Sequence, residues 1–183
     1  IVSASDYRNY QWIAGYYEER EDSLDAVYIG SSNCYAFWNS VVAWEEYGIA
    51  IYPYTCNAQP FEAAEYLIKE ARKTQSEAMF IINLNTITDG SDISVEQMHY
   101  LLDYMPLSRN KLELTHFLAE KGSYSLSERL EFYFPLVRYH SRWNELQPED
   151  FTYEVDGLKG TIHYASYLKK SFDLSSVYKT SVE

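Results

Sequence analysis

The sequence predicts an α/β domain, with a parallel sheet covered by helices. Three observations carry that reading. Short apolar runs at Ala26–Ile29, Ile49–Pro53 and Ala78–Leu84 have the length of buried strands. Helical patterns fill the segments between them. The connections are short, and a β-α-β-α-β order favours parallel strands joined by crossovers.

Each element has a local cause. Residues 1–25 are polar and aromatic and hold a short helix near Asp6–Ala14. The first strand, Ala26-Val27-Tyr28-Ile29, ends at Gly30, and Ser31-Ser32-Asn33 supplies turn and helix-capping chemistry. Tyr35–Tyr47 is helical in part; Asn39 or Ser40 can cap Val41–Glu46, and Gly48 stops it. After the second strand, Thr55–Pro60 is a loop, with Pro60 placed just before a helix. Phe61–Thr74 puts Phe61, Ala64, Leu67, Ile68 and Ala71 on one stripe.

The character changes beyond the third strand and Asn85. Thr86–Asp92 is a polar loop. Ser94 caps a helix over Val95–Met105, with Glu96 and Gln97 in its first turn. Ser108–Lys121 is helical and ends at Gly122. Ser125 or Ser127 caps a further helix through about His140. The organisation read from this is an N-terminal extension (1–25), a β-α-β-α-β half-domain (26–85), a helical insertion (86–150) and a weakly patterned C-terminal segment (151–183).

Composition narrows the function. With 27 acidic and 15 basic residues among 183, the chain carries a net charge of −12. Such a surface repels a polyanion, so nucleic acid is not an expected partner. No stretch approaches the roughly 20 apolar residues of a membrane span. The first residue is Ile1, so we expect a processed or trimmed start, with any membrane anchor outside this chain. The two cysteines, Cys34 and Cys56, make neither a disulfide scaffold nor a zinc motif, and whether they pair is left open. The nineteen tyrosines are read first as core residues with paired hydroxyls, and second as a surface for sugars or protein partners.

Ligands of open α/β sheets bind outside the carboxyl ends of the strands. Gly30-Ser31-Ser32 stands at such an end, before a helix whose free N–H groups stabilise developing negative charge. A serine there suits a nucleophile for acyl transfer. On spacing alone, however, a serine that merely caps the helix is the commoner arrangement. The second loop offers Asn57, Ala58 and Gln59, and the third offers Asn83 and Asn85. A hydroxyl, an N–H and an amide fit an oxyanion hole better than a metal site, since carboxylates and histidines are missing from these loops. Neither a metal nor a cofactor is expected. Cys34 as the nucleophile has no histidine partner in sequence, and helix packing is its default role.

The chain resembles the SGNH (GDSL-like) hydrolase and acyltransferase superfamily, in particular a group of bacterial cell-surface proteins. The residues that carry the resemblance are Val27-Tyr28-Ile29-Gly30-Ser31-Ser32, Trp44–Ile49, Gln59-Pro60, Tyr66–Ala71 and Phe134–Trp143. It implies a three-layer α/β/α sandwich with a flavodoxin-like sheet, here partial and carrying a helical insertion. It implies a metal-free serine esterase or O-acyltransferase acting on an acylated carbohydrate or cell-envelope polymer, outside the cytoplasm at the cell surface or secreted. Ser32 matches the nucleophile, and its N–H is one oxyanion donor. Ala58 falls where the family carries a glycine, and its N–H serves provided the loop needs no positive φ. Asn85 matches the third-block asparagine poorly, and Asn83 is its alternative.

The family's Asp-x-x-His block has no counterpart here. No aspartate lies three residues before any of the four histidines. Glu113-Leu114-Thr115-His116 is the nearest spacing and reads as an exposed helix turn. His140 is assigned a structural role in positioning its helix end, while His99 and His163 have no supporting context. The expectation is an N-terminal fragment whose base lies beyond Glu183. A half-covered sheet of this kind exposes apolar strand surface and invites another chain, including a second copy. The alternative function is a non-catalytic carbohydrate- or protein-binding module on the same fold.

Overall fold

The computed structural model describes residues 7–85, 87, 93–138, 144, 145, 148 and 158–162. Strands β1 (Ala26–Gly30), β2 (Ile51–Thr55) and β3 (Met79–Ile82) form one parallel sheet in the order β2-β1-β3. Val27 lies beside Tyr52 and Phe80, and Ile29 beside Tyr54 and Ile82. Alternate residues face opposite sides of a sheet. One face therefore carries Val27, Ile29, Tyr52 and Tyr54, and the other carries Tyr28, Gly30, Pro53, Met79 and Ile81.

The first face holds the core. Helix α1 (Tyr7–Tyr16) lays Tyr16 on Tyr54, ring centroids 4.3 Å apart, and edge-on to Tyr52 at 5.6 Å. Helix α4 (Ala64–Ala71) adds Leu67 and Ala71 to the same cluster. Helices α5 (Val95–Leu102), α6 (Arg109–Lys121) and α7 (Leu126–Tyr133) extend it through Met98, Leu101, Leu114, Leu118 and Phe132. Each fully buried side chain of this size contributes roughly 1.5–3 kcal/mol relative to exposure. The helices after β3 thus share one core with the sheet.

The second face is covered in part. Helices α2 (Ser32–Phe37) and α3 (Ser40–Tyr47) pack on β1 and β2. On β3, Met79 stays 67% exposed and Ile81 36%. The apolar surface expected of a half-covered sheet is present.

Predicted boundaries moved where non-local bonds decide them. β2 starts at Ile51 rather than Ile49. Gly48 takes a left-handed φ of 67° to end α3, and Asp25 Oδ2 then accepts from Ala50 N at 2.7 Å. Pairing with β1 begins one residue later, at Ala26 and Ile51. Pro60 is followed by a 3-10 turn, Phe61–Ala63, before α4. The helix expected to run to about His140 is broken at Phe134. Pro135 lacks an N–H and disfavours helical backbone in the preceding residue, so α7 ends and a short α8 (Pro135–Arg138) begins.

Asn39, Ser94 and Ser125 cap their helices as expected, Ser31 does not, and Ser108 adds a cap. Asn39 accepts from Val42 N, and Ser108 from Lys111 N. Ser94 with Gln97, and Ser125 with Glu128, form capping boxes. Among the described residues no helix is long and apolar enough to cross a membrane.

Candidate functional site

Ser32, Ala58 and Asn85 follow the carboxyl ends of β1, β2 and β3. Because the strands are parallel, all three lie at one end of the sheet. Ser31 occupies the N-cap position of α2 with extended backbone, yet its side chain makes no capping bond. Ser32 opens the helix and is exposed. The capping role, favoured on spacing alone, is thus not what either serine's side chain is seen to perform.

The first and second loops are joined by hydrogen bonds. The Thr55 hydroxyl donates to the Gly30 carbonyl, and its oxygen lies 3.0 Å from the Ser31 carbonyl. Tyr35, from α2, donates its hydroxyl to Asn57 Oδ1. The Asn57 N–H donates to Asn9 Oδ1 of α1 at 2.8 Å. Gln59 is buried and turns Oε1 back to accept from Cys56 N at 3.1 Å. Between these bonds sits Ala58, exposed, with φ of 48°. The loop therefore does use positive φ, contrary to the condition set for the Ala58 N–H; alanine adopts it against its steric preference and retains the N–H.

The third loop closes on the first. A Cβ on Gly30 would stand 2.5 Å from Asn83 Cβ and 2.6 Å from Cys34 Sγ, so only glycine lets the loops approach this closely. Asn83 Nδ2 donates to the Tyr28 hydroxyl at 3.2 Å, and Asn83 Oδ1 accepts from Asn85 N at 2.9 Å. Asn83 thus supports the strand end, and Asn85 is the exposed one. The crevice between Gly30, Gln59, Pro60, Phe61 and Asn83 is closed, without room for a water molecule.

The setting of both thiols disfavours the thiolate. Both are free and buried. Burial pushes Cys34 up to about 11, against hydrogen bonds with Tyr28 and Asn83 that act the other way. Burial alone pushes Cys56 upward. Nucleophilicity belongs to the thiolate, and in the first loop the exposed hydroxyl is that of Ser32.

The described histidines stand elsewhere. His116 lies on α6 in a groove of about 570 Å³ with Tyr66, Lys69 and Phe117, and Glu113 is bonded there to Arg109 at 2.7 Å. That pair is the surface helix turn the sequence suggested. His99, which sequence left without context, is buried. Its Nδ1 lies 3.0 Å from Asp103 Oδ1, its Nε2 lies 4.0 Å from Glu131, and Arg138 stands 3.5 Å from Asp103. The four groups link α5, α7 and α8. The i,i+4 spacing of His99 and Asp103 on one helix was the available signal. His140 and His163 lie outside the described residues. Among the described residues no cluster of His, Cys, Asp or Glu could hold a metal ion.

Sequence reasoning did not find Asn9, Tyr28, Tyr35 or Thr55. Each reaches the site across a long sequence separation, which no local pattern reports. No family model, curated protein or solved structure matches the chain.

Proposed function

We propose that the chain carries the nucleophile and oxyanion loops of an SGNH-like serine esterase or O-acyltransferase acting on an acylated carbohydrate or cell-envelope polymer, outside the cytoplasm of a bacterium. One observation supports this most. Ser32, Ala58 and Asn85 follow the carboxyl ends of three adjacent parallel strands, with the serine on the central one. The order β2-β1-β3 is also the beginning of the flavodoxin-like order 2-1-3-4-5.

In this reading Ser32 Oγ attacks the acyl carbon and forms an ester as the sugar hydroxyl leaves. The Ser32 and Ala58 N–H groups, with the Asn85 amide, hold the developing oxyanion. A general base that these three loops do not supply takes the Ser32 proton and passes it to the leaving oxygen. Water then releases the acid, or an acceptor hydroxyl takes the acyl group. The placement of His99 and His116 away from these three loops favours a second reading, a non-catalytic binding module for carbohydrate or protein.

The natural full-length product decides between them. Ser32→Ala should lower turnover of an aryl acetate or an acetylated oligosaccharide by at least about a thousandfold. Undiminished turnover would remove Ser32 from the mechanism. Tight oligosaccharide binding, unchanged by Ser32→Ala and without turnover in either protein, would establish the module instead.

A further inference from the structure

We propose that Asn9 and Tyr35 are positioning residues. They hold the Cys56–Gln59 loop in the left-handed conformation at Ala58 and so fix the direction of the Ala58 N–H. The chemical meaning of that N–H rests on the oxyanion reading above; the clamp itself does not.

An alanine at φ 48° returns to negative φ unless its surroundings prevent it. The Ala58 side chain is exposed, so its own packing holds nothing. The restraint comes from its neighbours. Asn57 is bonded at both its polar ends, through N–H to Asn9 Oδ1 at 2.8 Å and through Oδ1 to the Tyr35 hydroxyl. On the other side, Gln59 is tied to Cys56 N. The residues flanking Ala58 are thereby fixed, and the peptide between them has no freedom to relax.

Both clamps are rigid in turn. Tyr35 is buried and stacks on Trp12 of α1, ring centroids 3.7 Å apart and planes 16° apart. Asn9 is fully buried. Its amide orientation is set by the bond, because only the carbonyl oxygen can accept from Asn57 N–H. That choice leaves Asn9 Nδ2 buried with no hydrogen-bond partner among the described residues. An orphaned buried donor costs stability, and an apolar side chain would fill the space without it. The asparagine is explained by its acceptor. Helix α1 thus serves the second loop directly as well as packing on β2.

The test reads backbone conformation, so it is independent of turnover. Asn9→Ala should speed amide exchange at Asn57 about tenfold. It should also move the backbone shifts and the HN–Hα coupling of residue 58 away from the left-handed range. Tyr35→Phe keeps the stack on Trp12, removes one bond and should shift residue 58 in the same direction. Adding Ala58→Gly to Asn9→Ala should restore positive φ, since glycine needs no clamp. A residue 58 that keeps its native conformation in both Asn9→Ala and Tyr35→Phe would overturn the proposal. If Asn9→Ala fails to fold, Tyr35→Phe decides. Full turnover in Ser32→Ala would remove the esterase reading and leave the clamp standing.

Discussion

Replacing Ala58 by glycine should stabilise the protein. Non-glycine residues in the left-handed region cost about 1–2 kcal/mol, from the approach of Cβ to the following carbonyl. Ala58 sits there with φ of 48°. Its methyl is exposed, so removing it forfeits little burial. Glycine restores chain entropy to the unfolded state, which takes back about 0.4–1 kcal/mol. The net gain is on the order of 0.5–1 kcal/mol. For a chain of this size, each 1 kcal/mol moves the thermal midpoint by about 2–4 °C. The expected rise is therefore about 1–4 °C, with a higher urea midpoint and an unchanged denaturant slope. Thermal and urea unfolding followed by circular dichroism measure both. A midpoint that falls would show that the loop is not strained at Ala58, and the argument from its φ would fail.

Gly30→Ala should act in the opposite direction. Its Cβ would fall 2.5 Å from Asn83 Cβ and 2.6 Å from Cys34 Sγ, and overpacking of this kind costs about 1–3 kcal/mol; a wild-type denaturation midpoint would refute the contact. Alkaline unfolding should coincide with tyrosine ionisation. Burial raises Tyr17 and Tyr54 and pushes Tyr16 up to about 12 from an ordinary 10.0. These protons are held more tightly folded than unfolded, so the stability they support is full below about pH 10 and lost as pH rises through 12. Ionisation of Tyr16, Tyr17 and Tyr54, followed through their own ring resonances, while circular dichroism stays unchanged would contradict this. Finally, Ile81→Lys should reduce concentration-dependent association measured by light scattering, because Met79, Ile81, Ile82 and Leu84 form an exposed apolar edge; equal scattering would show that this edge is inert.

The sequence made legible what local chemistry determines. Ser94 and Ser125 cap their helices because the capping bond spans three residues. The strand before Gly30 is visible because its apolar run is bounded by Asp25 and the glycine. Other features depend on distant partners. Nothing in the run from Ala78 to Leu84 distinguishes a buried strand from one whose flank stands open. At Ala58 the residue type itself argues against the positive φ that the loop adopts. Asn57 and Gln59 read in sequence as possible ligand groups, yet Asn57 Oδ1 accepts from Tyr35 of α2 and Gln59 Oε1 from Cys56 N. An Asp-x-x-His block would place an aspartate three residues before His99, where Glu96 stands instead. The partner of His99, Asp103, lies four residues downstream at the C-cap of α5.

The central claim is that Ser32 is an acyl-accepting nucleophile at the carboxyl end of the sheet. The most direct measurement is to treat the natural full-length product with a fluorophosphonate and map the adduct by peptide mass spectrometry. The account predicts one modified peptide, carrying the adduct on Ser32 and absent from Ser32→Ala. An unmodified protein, or an adduct on another residue that persists in Ser32→Ala, would contradict it.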